Sequence, residues 1–181
     1  MKTVYVITAL IFMTTLSMSQ SKKTFYDFKV NAIDGKPFDL SSLKGKKVLV
    51  VNTASKCGFT PQYAQLEELF RKYGTGNFTI IGFPANNFMS QEPGTNEQIK
   101  EFCTVNYGVT FQMMSKISVK GDDMDLLYKW LTSKTENGVM DAPVKWNFQK
   151  FMIDEKGNLV DMVPPSDKPN CEKIIKWIES K

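Results

Sequence analysis

The segment at residues 48–52 is short, apolar and uncharged, and it is rich in valine. Such a run is typical of a strand that is buried on both faces of a parallel sheet. Shortly after it, apolar side chains recur at helical spacing over residues 63–73. Thr60 offers a hydroxyl group for the helix N-cap, and Pro61 suits the first helical position. The sequence therefore predicts a strand followed by a helix, which favours a fold in which helices cover a largely parallel sheet.

Cys57 lies in the loop between this strand and this helix. Backbone N–H groups and the dipole at a helix N-terminus stabilise an anion, so this position favours the thiolate form of a cysteine. A lone cysteine can also simply fill a small apolar space. Of these two interpretations, the sequence favours a reactive thiol.

Two hairpins are expected elsewhere in the chain. The turn signal Asp34–Gly35 predicts that residues 25–33 pair with residues 38–40, and a second turn signal predicts that residues 148–154 pair with residues 159–163. Because hairpins join antiparallel strands, they require a sheet that is not purely parallel. We therefore expect a mixed sheet.

Strand and helix patterns alternate along the remainder of the chain. A further strand is expected at residues 78–83, and a helix is expected to begin at Thr95, whose Gln98 completes a capping box. Residues 126–131 have the apolar spacing of another helix, and Asn170 is expected to cap a last one. This order predicts an α/β fold with a mixed central sheet flanked by helices, in one domain.

Residues 1–19 have the pattern of a secretory signal peptide. Lys2 precedes an apolar core at residues 4–13, and small residues before Gln20 suit a cleavage site. The apolar core is short for a membrane-spanning helix, so an uncleaved anchor is less favoured. We therefore expect the folded domain to span residues 20–181, and the protein to be secreted or periplasmic.

The composition excludes several classes of function. The chain has no histidine, so it cannot contain a Ser-His or Cys-His catalytic pair or a histidine-ligated zinc site. We expect no metal and no cofactor. The chain carries 23 basic and 19 acidic residues without a basic block, so no nucleic acid partner is expected. Three widely spaced cysteines are too few for a disulfide scaffold.

Three segments, in order, resemble the signature segments of the glutathione peroxidase family. They read NTASKCGFTPQY, GFPANNFMSQEPGTNEQI and KWNFQKF. The resemblance implies a thioredoxin-like fold and a thiol peroxidase, with its peroxidatic group at Cys57, where some relatives use selenocysteine. It also implies that Gln91, Trp146 and Asn147 are hydrogen-bonding partners of that group.

The residue types in these segments suit the implied chemistry. Amide and indole N–H groups are neutral donors that can hold a thiolate and stabilise negative charge on a departing oxygen. Each residue also has an ordinary interpretation when it is taken alone. Gln91 could be a surface loop residue, Trp146 a core aromatic and Asn147 a turn residue.

Cys103 leaves two interpretations open. With Ile99 and Phe102 it forms an apolar face at helical spacing, which is typical of a buried core thiol. Its segment FCTVNYGVTF resembles the one that carries the resolving cysteine in the cysteine-dependent, thioredoxin-reduced branch of the family. In that role, Cys103 would form a disulfide with oxidised Cys57 after local unfolding of its helix. Cys171 matches no family motif and is expected to pack in the core.

The resemblance therefore predicts reduction of hydrogen peroxide and organic or lipid hydroperoxides, with a thioredoxin-like protein favoured over glutathione as the reductant. The segment between Trp130 and Trp146 lacks the insertion through which tetrameric family members assemble, which favours a monomer. Met89 and Ser90 replace a pair that is small and flexible in many relatives. The rival hypotheses are a redox sensor that relays oxidation to a partner protein and a non-catalytic binding module.

Overall fold

The computed structural model describes residues 23–180, so the expected signal peptide lies outside the described residues. This part of the chain forms a two-stranded hairpin and a five-stranded mixed sheet. The strands are β1 (Lys29–Asn31), β2 (Pro37–Asp39), β3 (Lys47–Thr53), β4 (Phe78–Pro84), β5 (Gln112–Met113), β6 (Lys150–Ile153) and β7 (Leu159–Val163). The helices are α1 (Gln62–Tyr73), α2 (Asn96–Tyr107), α3 (Leu126–Thr132), α4 (Lys134–Asn137) and α5 (Glu172–Glu179). The predicted α/β fold with a mixed central sheet flanked by helices is confirmed, and the short helix α4 is an element that was not predicted.

The side chains of β3 alternate between two apolar clusters that lie on opposite faces of the sheet. Val48 and Val50 pack into the cluster that includes α3, which we call the α3-side cluster. Leu49 and Val51 pack into the cluster that includes α1, α2 and α5, which we call the α1-side cluster. All seven residues of β3 are buried, as expected for a strand covered on both faces.

The strand directions bring three loops to one edge of the sheet. The large sheet has the order β5-β4-β3-β6-β7, in which β3 is parallel to β4 and antiparallel to β6. The carboxyl ends of β3 and β4 therefore lie beside the start of β6, where Val51 pairs with Lys150. We call this the site edge, because the three signature segments meet there.

Both predicted hairpins are present, as β1 with β2 and as β6 with β7. The predicted strand at residues 25–33 is too long, because residues 25–27 form a 3₁₀ turn. The Asp27 carboxylate closes this turn by accepting from the backbone N–H of Thr24 at 2.8 Å. The predicted strand at residues 148–154 is also too long, because Phe148 has a left-handed φ of 69° and β6 begins only at Lys150.

The predicted helix starts differ in accuracy. α2 has the expected capping box between Thr95 and Gln98. The predicted cap at Asn170 is wrong, because Cys171 takes the N-cap position of α5 without a side-chain cap. The backbone N–H of Cys171 donates to the carbonyl of Lys168 at 3.0 Å, which places Asn170 in the preceding turn. Cys171 itself is half-buried against the α1-side cluster rather than enclosed by it.

Between residues 23 and 180, no helix combines the length and the apolar character that crossing a membrane requires.

Lys47 joins the start of β3 to the end of α5. Its side chain is buried, and its ammonium group donates to the carbonyls of Trp177 at 2.6 Å and Ser180 at 2.5 Å. It also donates to the hydroxyl of Ser180 at 2.9 Å. Carbonyls at a helix C-terminus have no partners within the helix, and a cation there offsets the helix dipole. Lys47 therefore fixes the last helix to the central strand.

Replacing Lys47 with Met should lower the free energy of unfolding by about 1–3 kcal/mol, because the change leaves several partly buried acceptors without their donor. Urea denaturation followed by circular dichroism would measure the loss. Lys129→Met on the exposed face of α3 is the matched control and should change the value by less than about 0.5 kcal/mol. Equal losses in the two variants would show that water replaces the Lys47 ammonium without cost.

Candidate active site

Cys57 lies in a tight turn between β3 and α1, and its side chain is only 7% exposed. Its backbone N–H donates to the hydroxyl of Thr60 at 3.0 Å, and this hydroxyl donates to the carbonyl of Ala54 at 2.8 Å. The backbone N–H of Thr60 donates in turn to the carbonyl of Cys57 at 3.0 Å. These bonds close the loop around the cysteine.

The predicted role of Thr60 as the N-cap of α1 is therefore wrong. The helix begins at Gln62, and successive short turns wind the chain before it. Thr60 lies inside these turns, so its hydroxyl points back to the loop instead of capping the helix. Its contribution is to hold the Cys57 turn closed.

A backbone group donates a hydrogen bond to the sulfur. The N–H of Phe59 donates to Cys57 Sγ at 3.4 Å. A neutral N–H in this place stabilises a thiolate without supplying a competing base. Sequence reasoning missed Phe59 because any residue type provides a backbone N–H, and only the turn directs it at the sulfur.

Gln91 is attached to the Cys57 turn from the loop that follows β4. Its backbone carbonyl accepts from the N–H of Lys56 at 2.9 Å. Its side-chain Oε1 accepts from Nδ2 of Asn147 at 3.1 Å. This bond uses the amide oxygen of Gln91 and leaves the donor capacity of its NH₂ group unused. The structure thus brings two of the predicted site residues, Gln91 and Asn147, into contact with each other.

The loop before Gln91 has a strained backbone. Met89 and Ser90 have φ values of 50° and 52°, both in the left-handed region that favours glycine. Two successive non-glycine residues in that region must be held by their surroundings. The departure from the family pattern noted at these positions therefore falls on the turn that places the Gln91 amide.

Asn52 holds the segment that carries Trp146 and Asn147. Asn52 is buried in β3, and its Nδ2 donates to the carbonyl of Trp146 at 3.1 Å. Its backbone carbonyl accepts from the N–H of Phe148 at 2.6 Å. Asn147 is completely buried between these contacts. Sequence reasoning missed Asn52, although an amide side chain at the end of an apolar strand was a usable signal.

Trp146 is half-buried at the site edge. Its ring lies 5.3 Å from the ring of Phe88 at an interplanar angle of 44°. The side chain contacts both the α3-side and the α1-side clusters. Trp146 therefore packs partly as a core aromatic. It also lies beside Asn147, which places it at the site.

Cys103 is apart from this group of residues. It lies on α2, is 1% exposed and belongs to the α1-side cluster, which also includes Cys57. Burial raises the pKa of the Cys103 thiol to about 11, although the hydroxyl of Tyr63 acts in the opposite direction. Cys57, Cys103 and Cys171 are all free thiols in this structure. Within residues 23–180, no cluster of side chains suits a metal ion.

The fold itself is shared with thiol-dependent redox proteins. A crystal structure of a thiol:disulfide interchange protein of the thioredoxin family, from Chlorobium tepidum, is similar with a TM-score of 0.58 at 22% identity and covers 83% of this chain and 92% of its own. The crystal structure of Trgpx in its apo form has a TM-score of 0.69 at 41% identity and covers 88% of this chain and 98% of its own. The fold is thus thioredoxin-like, as predicted.

Sequence comparisons identify the family. The glutathione peroxidase family profile matches residues 25–132. Glutathione peroxidase-like peroxiredoxin gpx1 of Schizosaccharomyces pombe is 50% identical over 86% of this chain and 97% of its own length. Hydroperoxy fatty acid reductase gpx1 of Synechocystis is 43% identical over 84% of this chain and 93% of its own. The chain therefore belongs to the glutathione peroxidase family, and the predicted family and peroxidase class are confirmed.

Replacing Gln91 or Trp146 with Ala should lower the second-order rate of Cys57 oxidation by roughly ten- to a thousandfold, the effect of losing one fixed donor. Stopped-flow measurements with hydrogen peroxide would give the rate. Asn77→Ala, which removes an exposed amide before β4, is the control and should leave it unchanged. Rates within about twofold of the wild type for both site variants would assign these side chains to packing alone.

Proposed function

We propose that this chain is a thiol peroxidase that reduces hydrogen peroxide and organic hydroperoxides through Cys57. The observation that carries the proposal is the N–H of Phe59, which points at Cys57 Sγ from 3.4 Å. Gln91, Trp146 and Asn147 lie at the same edge of the sheet, as described above. A sulfur held by neutral donors is suited to react as a thiolate.

In the proposed first step, the Cys57 sulfur attacks one oxygen of the peroxide and the O–O bond breaks. Cys57 becomes a sulfenic acid, and the other oxygen leaves as water or an alcohol after taking up the proton lost by the thiol. The chain has no histidine to carry this proton. Amide and indole donors would stabilise the charge that develops on the departing oxygen.

Organic hydroperoxides are included in the proposed substrates for two reasons. The Met89 side chain, two residues before Gln91, is 80% exposed, which supports an open approach to the site edge. The Synechocystis relative carries the name hydroperoxy fatty acid reductase. Both observations support a substrate that is larger than hydrogen peroxide.

We also propose that Cys103 resolves the sulfenic acid. Only Ile99 and Cys103 of α2 are buried, so few apolar contacts oppose local opening of this helix. The Cys103 sulfur would bond to the Cys57 sulfur as the S–O bond breaks, and water would leave with the thiol proton. A thioredoxin-like dithiol protein would then reduce the disulfide. The name peroxiredoxin, carried by the Schizosaccharomyces relative, supports this route.

Cys103→Ser tests the two interpretations of Cys103. One equivalent of peroxide should give the wild type an intramolecular Cys57–Cys103 disulfide, whereas the variant should stop at sulfenic acid and over-oxidise in excess peroxide. Peptide mapping by mass spectrometry would identify the products. Cys171→Ser, which removes the half-buried third thiol, is the matched control and should behave as wild type. Cys57→Ser should react with no peroxide at all.

Turnover assays with thioredoxin and with glutathione complete this experiment. We expect turnover with thioredoxin, and a sharp loss of it in Cys103→Ser, since the reductant would no longer meet its disulfide. Unchanged turnover in this variant, with no Cys57–Cys103 linkage in the wild type, would support the interpretation of Cys103 as a core thiol without a redox role. Oxidation without turnover by either reductant would instead favour the redox sensor.

We further infer a secreted or periplasmic monomer. The signal-peptide pattern at residues 1–19 supports the location, and the short segment between Trp130 and Trp146 supports the monomer. Expression of the full chain with N-terminal sequencing of the product should find residue 20 first. Recovery with Met1 in place would contradict the location, and light scattering at the mass of a tetramer would contradict the monomer.

A further inference from the structure

Glu92 is a fully buried carboxyl group that the proposed mechanism does not use. Its Oε2 accepts from the hydroxyl of Ser55 in the Cys57 loop at 3.0 Å. Its backbone N–H donates to Oδ1 of Asn86 at 2.8 Å, and its carbonyl accepts from Nζ of Lys116 at 3.3 Å. Glu92, which follows Gln91 directly, therefore ties the Cys57 loop to the loop after β4 and to Lys116.

The second carboxyl oxygen of Glu92 lacks a partner. Oε1 is buried and receives no hydrogen bond from any residue that the structure describes. An unpaired oxygen costs more on a buried carboxylate than on a neutral carboxyl group. Burial accordingly raises the pKa of Glu92, against smaller opposing effects of Ser55 and Lys116. The packed arrangement thus favours the protonated form of this side chain.

Ionisable groups on several surrounding elements interact electrostatically with Glu92. They are Lys56 in the Cys57 loop, Tyr63 on α1, Cys103 on α2 and Lys116 after β5. Burial raises the pKa of Cys103 to about 11 and that of Tyr63 well above its ordinary value. As the pH rises from acidic values, Glu92 is therefore the first acid of this buried group to lose its proton.

Glu92 also lines a groove that the Cys57 loop and α2 share. The groove has a volume of about 320 Å³, and Cys103 itself borders a different cavity. Ser55 and Lys56 line one side, and Ile99 and Phe102 line the other. A change in the charge of Glu92 consequently alters the electrostatic environment where α2 packs against the Cys57 loop.

We propose that Glu92 is a positioning residue for the disulfide step: protonated Glu92 holds α2 closed against the Cys57 loop, and its ionisation releases α2 so that Cys103 reaches Cys57. The chemistry rests on the proposed function. Because the pKa of Glu92 is raised in the closed arrangement, that arrangement is fully stabilised below the ordinary pKa of glutamate. The stabilisation is lost as the pH rises through the raised pKa.

The positioning role leaves the chemistry of the step unchanged. A bond forms between the two sulfurs, the S–O bond of the sulfenic acid breaks, and the hydroxide leaves as water with the Cys103 proton. No external reductant or oxidant enters. Glu92 changes only how often α2 opens, by about tenfold for each unit by which its pKa is raised.

Hydrogen exchange of the reduced protein tests the opening of α2 without any peroxide chemistry. After correction for the intrinsic pH dependence of exchange, the protection of α2 amides should fall in the wild type as the pH rises above the ordinary pKa of glutamate. Glu92→Gln keeps an acceptor for Ser55 but cannot ionise, so its protection should stay constant. Glu101→Gln, an exposed change on the same helix, is the control and should follow the wild type.

Protection that is constant with pH in the wild type, or that falls equally in Glu92→Gln, would overturn the proposal. If Glu92→Gln does not fold, the pH dependence of α2 protection in the wild type tests the proposal by itself. This measurement also stands if Cys57 forms no sulfenic acid, an outcome that would refute the proposed function instead.

The disulfide step provides the functional test. After one equivalent of peroxide, the wild-type rate of disulfide formation should rise over the same pH range. Glu92→Gln should be slower at the upper end, by about the factor through which its opening falls, and independent of pH. Equal slowing of sulfenic acid formation and disulfide formation would show that Glu92 merely supports the site, and would overturn the proposal.

Discussion

Every functional feature of this protein depends on the pairing of β3 with a strand on each side. β3 is buried along its whole length and is hydrogen-bonded to β4 in parallel and to β6 in antiparallel register. A shift of one residue would exchange the side chains of its two faces and disrupt both apolar clusters. The same register determines the positions along the strands at which the loops begin. The hydrophobic core thus determines where Cys57, Gln91 and Asn147 can meet.

Buried amides fix the fine geometry that the core leaves open. Asn52 holds the backbone on either side of Asn147, and the Gln149 side chain accepts from the N–H of Lys145 at 3.0 Å. Such groups are costly to bury unless they are paired, so each favours a single arrangement of the loop. The site is therefore built from neutral donors. This suits a chain without histidine, in which a thiol must be activated by position rather than by an adjacent base.

The sequence predicted the α/β order, both hairpins and the family, because strand and helix periodicity and the three signature segments are local patterns. It could not place helix starts where tertiary contacts compete with local preference. Thr60 has the right side chain for a cap, yet its hydroxyl is engaged by Cys57 and Ala54. Nor could it identify the N–H of Phe59, which is common to all residue types. Glu92 looks like an ordinary loop acid until the fold encloses it.

The left-handed pair at Met89 and Ser90 has a consequence for how this site tolerates change. Each such residue costs roughly 1–3 kcal/mol, so the loop is metastable by itself and keeps its shape through contacts made by other segments. The orientation of the Gln91 amide then depends jointly on the Cys57 turn, Asn147 and Glu92. A substitution remote from the sulfur can misdirect this donor as effectively as one beside it. Contacts in several segments therefore determine both the geometry of the site and its sensitivity to substitution.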